Sequence, residues 1–211
     1  MSLARLLQLA SPMLPVGAYS YSQGLEAAVE AGIVSDAASA EEWIGDVLEL
    51  VVARMEMPLL SRLLRDGVDP QQINDLFLAS RETAELRAET LQMGHSLALL
   101  LAQLGLPQMK VREPAFPTAF AHAVVNWKLE PRDALAAYLW AWVENQVMVG
   151  VKAVPLGQTD GQKILLSLGE RLEAIAQRAA SVADEELCNL APGLAFLSAR
   201  HETQYSRLFR S

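Results

Sequence analysis

The stretch DGQKILLSLGERLEAIAQRAASV, Asp160 to Val182, decides the fold class. Leu165, Leu168, Leu172, Ile175, Ala179 and Val182 recur at alternating spacings of three and four, with Glu170, Glu173, Gln177 and Arg178 between them. That period gathers the apolar set on one stripe and leaves the polar set for solvent, which is a surface helix of a bundle.

Working back along the chain, Ala134 to Val143 (ALAAYLWAWV) is apolar on every side. A helix without a polar face must be surrounded by other helices or by a partner subunit, and Pro131 suits its first turn. Ser39 with Glu42 has the spacing of a capping box, and Asp69 before Pro70 reads as an N-cap with proline at the first helical position. Helices therefore start near residues 40 and 70. A long helix is predicted from about Arg81 to Leu104, with Arg81 four residues before Glu85, ended by Gly105 and Pro107. Prolines between Pro107 and Pro117 make a loop that leads into a short apolar helix near Phe120 to Trp127. Apolar residues recur at three and four rather than two throughout, so the expected fold is an all-α, single-domain multi-helix bundle over residues 1–211.

Bulk properties narrow the function. At 211 residues and 52% hydrophobic composition the chain holds one core. Seventeen basic against twenty-five acidic side chains give a net charge of -8, which lacks the basic footprint nucleic-acid binding requires. The single Cys188 excludes an internal disulfide framework and fits a reducing compartment, and no basic-then-apolar leader is legible, so a cytoplasmic location is expected. The uncharged run Leu6 to Leu25 has the length of a membrane span, but Pro12, Pro15, Gly17 and Gly24 argue against one.

Reactive constellations are not legible. Gly157-Gln-Thr-Asp-Gly161-Gln-Lys163 has its glycines four apart, and Lys163 is followed by Ile164, so it fails the phosphate-cradling pattern. His95, His122, His201 and Cys188 are widely separated and form no ligand pair. His122 in AFAHAVV reads as a hydrogen-bonded core or interface residue, and Cys188 as inert packing. The acid pairs Glu41 with Glu42, Glu82 with Glu85, and Asp184 to Glu186 read as first-turn or solvated residues. The rival reading is an independent helical enzyme or small-ligand regulator with a polar pocket around Arg81, Glu82 and Glu85.

Four segments carry recognition character: SPMLPVGAYSYSQGLE (Ser11 to Glu26), SRETAELRAETLQMGHSL (Ser80 to Leu97), ENQVMVGVKAVPLGQTDGQKIL (Glu144 to Leu165) and SARHETQYSRLFRS (Ser198 to Ser211). In the first, Pro12, Pro15 and Gly17 restrict or turn the backbone so that Tyr19 and Tyr21 can be held in fixed positions, on a surface or lining the core. In the last, Arg200, Arg207 and Arg210 face only Glu202, a local charge of +2 on a chain that is otherwise -10. If that end is helical, Leu197, His201, Tyr205 and Leu208 share a stripe with Phe209 beside it, edged by guanidinium groups. Such a stripe suits a partner or a docked final helix. Lys152, just before Pro155, can serve the helix C-terminus or a partner's acidic group.

In that order the four segments resemble the urease accessory protein family UreF. The resemblance implies an all-helical homodimer that acts as a non-enzymatic cytoplasmic scaffold in assembly of the urease nickel site. It implies partners: UreD (also called UreH), the GTP-binding protein UreG, and urease apoprotein. Nickel and GTP would be handled by those partners, with no cofactor bound by this chain. The family's N-terminal turn falls on Tyr19 through Glu26, its central signature on Glu144 through Lys163, and its C-terminal signature on Arg200 through Ser211. Tyr19, Tyr21, Arg200, Tyr205, Arg207, Leu208, Phe209 and Arg210 become candidate partner-binding residues, with residues 198–211 a mobile binding tail. Lys152 and Gln158 become candidates for altering GTP hydrolysis on UreG.

Overall fold

A helical hairpin of α8 (Pro131–Ala153) and α9 (Gln158–Ala179) forms the middle of the protein, in a computed structural model that describes residues 2–211. Pro131 lies in the first turn of α8, where its missing N–H has no helical partner to lose, and Lys152 lies in the last turn, where a cation favours the negative helix end. The hairpin turns at Val154, which is extended. Along α9, Leu165, Leu168, Leu172, Ile175 and Ala179 are buried and Glu170, Glu173, Gln177 and Arg178 exposed, as the periodicity predicts. Burying the four large side chains contributes roughly 2 kcal/mol each, well beyond any intrinsic helix preference. Val182 lies past the end of α9 and is half-buried.

Helix α8, whose stretch Ala134 to Val143 is apolar all round, is central because it has neighbours on most sides. It contacts α1 (Ser2–Ala10), α2 (Leu25–Glu30), α3 (Ala37–Val47) and α4 (Met57–Leu63) as well as α9. Trp140 alone of its large apolar residues stays substantially exposed.

The α3 and α4 helices are halves of one rod, joined by a π-helical segment over Leu48–Glu56. Pro58 in this rod has no N–H to donate backwards, and the wide turns before it absorb the change in register. The segment delivers Glu56 to the interior. The rod does not start at a Ser39–Glu42 box. Asp36 is the cap: its carboxylate accepts from Ser39 N–H at 2.8 Å, and the Ser39 hydroxyl accepts from Asp36 N–H at 3.1 Å. That reciprocal exchange satisfies two end groups with two short side chains and makes Glu42 unnecessary.

The α5 helix (Pro70–Ala79) begins on the Asp69 cap as expected. The long helix α6 (Ala84–Gln103) starts later than Arg81, because Thr83 takes the cap by accepting from Leu86 N–H at 3.2 Å. Arg81 is thereby left off the helix, so it pairs with Glu56 rather than Glu85. Helix α7 (Phe116–Asn126) starts at Phe116 rather than near Phe120, with Pro117 in its first turn. The backbone just before it, at Pro114 and Ala115, lies against α6 at Gly94, where an added Cβ would be 2.0 Å from the Pro114 carbonyl oxygen. The last helix, α10 (Pro192–His201), packs on α2 and stops at His201. No helix among the described residues is long and apolar enough to cross a membrane.

Candidate functional site

Ser11 to Glu26 is a run of tight turns. Leu14 N–H donates to the Ser11 carbonyl at 2.9 Å and Val16 N–H to the Leu14 carbonyl at 2.7 Å. Gly17 (φ +80) opens a short 3-10 turn over Ala18–Ser20, and Gly24 (φ +82) precedes α2. Both are left-handed positions where glycine avoids a steric cost. At Gly24 a Cβ would also meet Leu194 Cδ1 at 2.7 Å, so this glycine lets α10 seat. The turn divides the two tyrosines. Tyr21 is buried, and burial pushes its phenol up despite the nearby Arg210 guanidinium. Tyr19 is 59% exposed.

Residues 202–211 fold back onto this turn. Arg210 N–H donates to the Ser20 carbonyl at 2.8 Å and Ser22 N–H to the Ser211 carbonyl at 2.9 Å, so the tail runs alongside residues 20–22. The carboxylate of Glu26 accepts from the N–H groups of Leu208 (2.6 Å) and Phe209 (3.0 Å) and lies 3.1 Å from His201 Nε2. Glu85 lies 2.7 Å from His201 Nδ1 and accepts from Arg207 at 2.6 Å. Glu89 accepts from the Ser211 hydroxyl at 2.8 Å. The tail's guanidinium and amide donors thus meet the chain's own acids.

These contacts correct the expected stripe. Leu197 and His201 are buried on α10, but Tyr205 and Leu208 lie beyond its end and face solvent. Glu26 takes the N–H groups of residues 208 and 209, which a continuing helix would have donated to its own carbonyls. Nor is the tail a free terminus: Phe209 and Ser211 are buried.

Where tail, turn and helix end meet, Tyr19, Ser20, Lys152, Leu208, Phe209 and Arg210 line an open cleft of about 440 Å3. The Lys152 ammonium stands 6.0 Å from the ring centroids of both Tyr19 and Phe209, a cation held against two aromatic faces. The other candidates are not brought here. Arg207 is turned to Glu85, Tyr205 is fully exposed, Arg200 sits 6.0 Å over Phe196 on α10, and Gln158 is an exposed first residue of α9.

A sequence model of the UreF family matches residues 34–169. The chain belongs to the UreF family. It is 57% identical to the urease accessory protein UreF of Azoarcus sp. (strain BH72), over 99% of this chain and 95% of that one. It is 52% identical to the protein of that name from Janthinobacterium sp. (strain Marseille) and 48% identical to that from Dechloromonas aromatica (strain RCB), in each case over 100% of this chain and 98% of the relative. A UreF-family chain is an accessory protein and not an enzyme. Lys152 and Gln158 fall inside the matched span, whereas Tyr19 and the tail lie outside it and within the full-length similarity to these relatives.

The protein also encloses a polar cluster, whose cavity shares Tyr19 with the cleft. Glu56, Arg81, Glu89, Tyr138, Gln23 and Trp142 border a cavity of about 90 Å3. Tyr138 donates to Glu56, and burial pushes its phenol well above the usual range. Burial likewise raises the Glu89 carboxyl to about 7, although Gln23 and Ser211 hydrogen-bond to it. Of the rival pocket expected from sequence, Arg81 is here, but Glu82 and Glu85 are not among the lining residues. Among the described residues no three His, Cys, Asp or Glu side chains are grouped to hold a metal ion. Residue reading missed Glu26 and Glu89 as organising groups. Glu26 had a signal, as the only charged residue between Arg5 and Glu30, whereas Glu89 lies among Glu85, Arg87 and other polar residues and had none; their tail donors, Leu208, Phe209 and Ser211, lie far away in sequence.

Proposed function

We propose that this chain is a non-enzymatic scaffold in nickel insertion into urease, joining UreD (UreH) and the GTPase UreG on urease apoprotein. In this reading it works in the cytoplasm as a homodimer, nickel and GTP being handled by its partners. The observation that carries the docking role is the convergence of three distant segments, at Tyr19, Lys152 and Leu208 to Arg210, on one cleft with a cation and exposed aromatic surface. Aromatic and arginine side chains held in place lose little freedom on association and suit an interface. Tyr205, standing fully out of the surface, is free to anchor in a partner's pocket. We place UreG on this face, with Lys152 and Gln158 near its nucleotide, where a cation can alter the rate of hydrolysis.

The test is recovery of UreG by the pair of this chain with UreD. Tyr205→Ala leaves the buried tail contacts intact, Lys152→Ala removes only the cation over the Tyr19 and Phe209 rings while the backbone bonds of the tail stay in place, and each is expected to lower UreG recovery and urease activation. Lys152→Ala is also expected to change GTP hydrolysis by UreG in the complex. Undiminished recovery and activation with both variants would remove the proposal.

A further inference from the structure

A second groove, sharing no lining residue with the cleft at Tyr19 and Lys152, lies between the turn after α4, the loop joining α6 to α7, and α7 itself. Its volume is about 560 Å3. Leu64 and Met109 are half-buried in its walls, Val124 and Leu129 are buried, and Val125 is 54% exposed. The lining is therefore largely apolar, and part of it stays in water in the isolated chain.

The rim is basic. Arg65, Lys110 and Lys128 are exposed on it and Asp66 is the single acid, a local charge of +2 on a chain of net charge -8. Arg65 donates to the Ala180 carbonyl at 2.5 Å, but among the described residues none of the three cations pairs with a carboxylate. Arg62, Arg132 and Arg178 elsewhere each meet one, and Asp184 goes to Arg62 rather than to Arg65. Lys128 also stands at φ +53, a left-handed position that glycine takes at no steric cost, so a charge is carried there against the local preference. On a chain with carboxylates in excess, cations left unpaired around an apolar groove suit negative charge brought by another molecule.

The walls are formed in advance. His122 Nε2 donates to the Pro107 carbonyl at 2.8 Å, Arg112 N–H donates to Gln71 Oε1 at 2.9 Å, and Asn74 Oδ1 accepts from Ala115 N–H at 2.8 Å. The loop from Pro107 to Ala115 is thus fastened to α7 at one end and to α5 at the other, and an occupant does not have to order it.

We infer that this groove docks a segment of a partner protein in which a short apolar run is flanked by Asp or Glu. The apolar run fills the groove, whose size takes a few side chains, and the flanking carboxylates meet Arg65, Lys110 and Lys128. An anionic bilayer offers the same two chemistries, but it is flat where the groove is concave, and a chain of net charge -8 is repelled by it. The inference adds a face to the scaffold reading above and does not depend on UreG docking at Tyr19 and Lys152.

The experiment uses the full chain. A fluorescein-labelled peptide with a leucine core flanked by glutamates is titrated by anisotropy, beside one with lysine flanks and one with a serine core. Cosedimentation with vesicles of phosphatidylglycerol and phosphatidylcholine runs in parallel. Saturable binding, with a Kd on the order of 100 µM, is expected for the first peptide alone. Amide shifts are expected at Met109, Val111 and Val125 and not at Tyr19 or Leu208. Lys110→Glu and Lys128→Glu, both at exposed side chains, should each weaken binding about tenfold and leave the circular dichroism spectrum and the self-association of the chain unchanged. Equal binding of either control peptide, shifts centred on Tyr19 and Leu208, or no saturation up to about 1 mM overturns the inference. So does vesicle binding in place of peptide binding, or a change in self-association on charge reversal, which would make the occupant a second copy of this chain.

Discussion

Replacing Glu26 by glutamine removes one oxygen and one charge while keeping the shape of the side chain. In wild type its two oxygens serve three groups, the N–H groups of Leu208 and Phe209 at 2.6 and 3.0 Å and His201 Nε2 at 3.1 Å. The amide keeps one acceptor and turns its NH2 toward at least one donor, leaving a buried group unmatched at a cost of about 1–3 kcal/mol. The bonds that survive lose charge assistance, about 1 kcal/mol more. The sum is roughly 3 kcal/mol against tail docking, or about a hundredfold in its equilibrium. Amide exchange at fixed pH 7 reads this directly. Protection at Leu208 and Phe209 is expected to fall about a hundredfold, while Leu168 and Leu172 in the middle of α9 keep theirs, because α9 makes its own core contacts. A fall of less than about threefold at the tail amides would show that Glu26 does not hold the tail.

Gly94→Ala places a methyl 2.0 Å from the Pro114 carbonyl oxygen, where both neighbours are backbone, and is expected to destabilise the fold by about 2 kcal/mol or more, read as a lower urea midpoint. Glu89 has its carboxyl raised from 4.5 to about 7 by burial, so the folded state favours its neutral form. The associated stability is present in full below the ordinary carboxyl value and is lost as pH rises through about 7. That loss approaches roughly 3 kcal/mol, and Glu89→Gln should flatten this part of the stability profile, as followed by urea unfolding at several pH values. Phe209→Ala empties a buried site on the tail and should lower protection across residues 208–211 without shifting α9 exchange.

The helical architecture was legible wherever one stripe of one helix faces the core. The α9 spacing, the apolar run Ala134 to Val143 in α8 and the Asp69-Pro70 start each encode a local rule that the fold obeys. What escaped reading depends on groups brought together from afar. Nothing in LELVVARME distinguishes a π-helical segment from an ordinary helix, and the inward turn of Glu56 answers to Arg81 and Tyr138, which come later in the chain. The tail reads as a continued amphipathic helix because Leu197, His201, Tyr205 and Leu208 keep helical spacing, yet Glu26, at the opposite end of the sequence, captures its amides. The candidate cleft was legible in parts: Tyr19, Lys152, Leu208, Phe209 and Arg210 were each identifiable, but their meeting is tertiary. Tyr21 belongs to the main core cluster while Tyr19, two residues earlier, stays exposed, a division that nothing in the local sequence settles.

The central claim is that turn, helix end and tail form one face through which this accessory protein engages UreG. Site-specific photo-crosslinking addresses it most directly, with the reactive side chain placed at Tyr19 or Leu208 on the cleft and, as a control, at the exposed Leu166 on α9. In the presence of UreD and UreG, crosslinks to UreG are expected from positions 19 and 208 and not from 166. Crosslinks to UreG from 166 with none from the cleft would contradict the account.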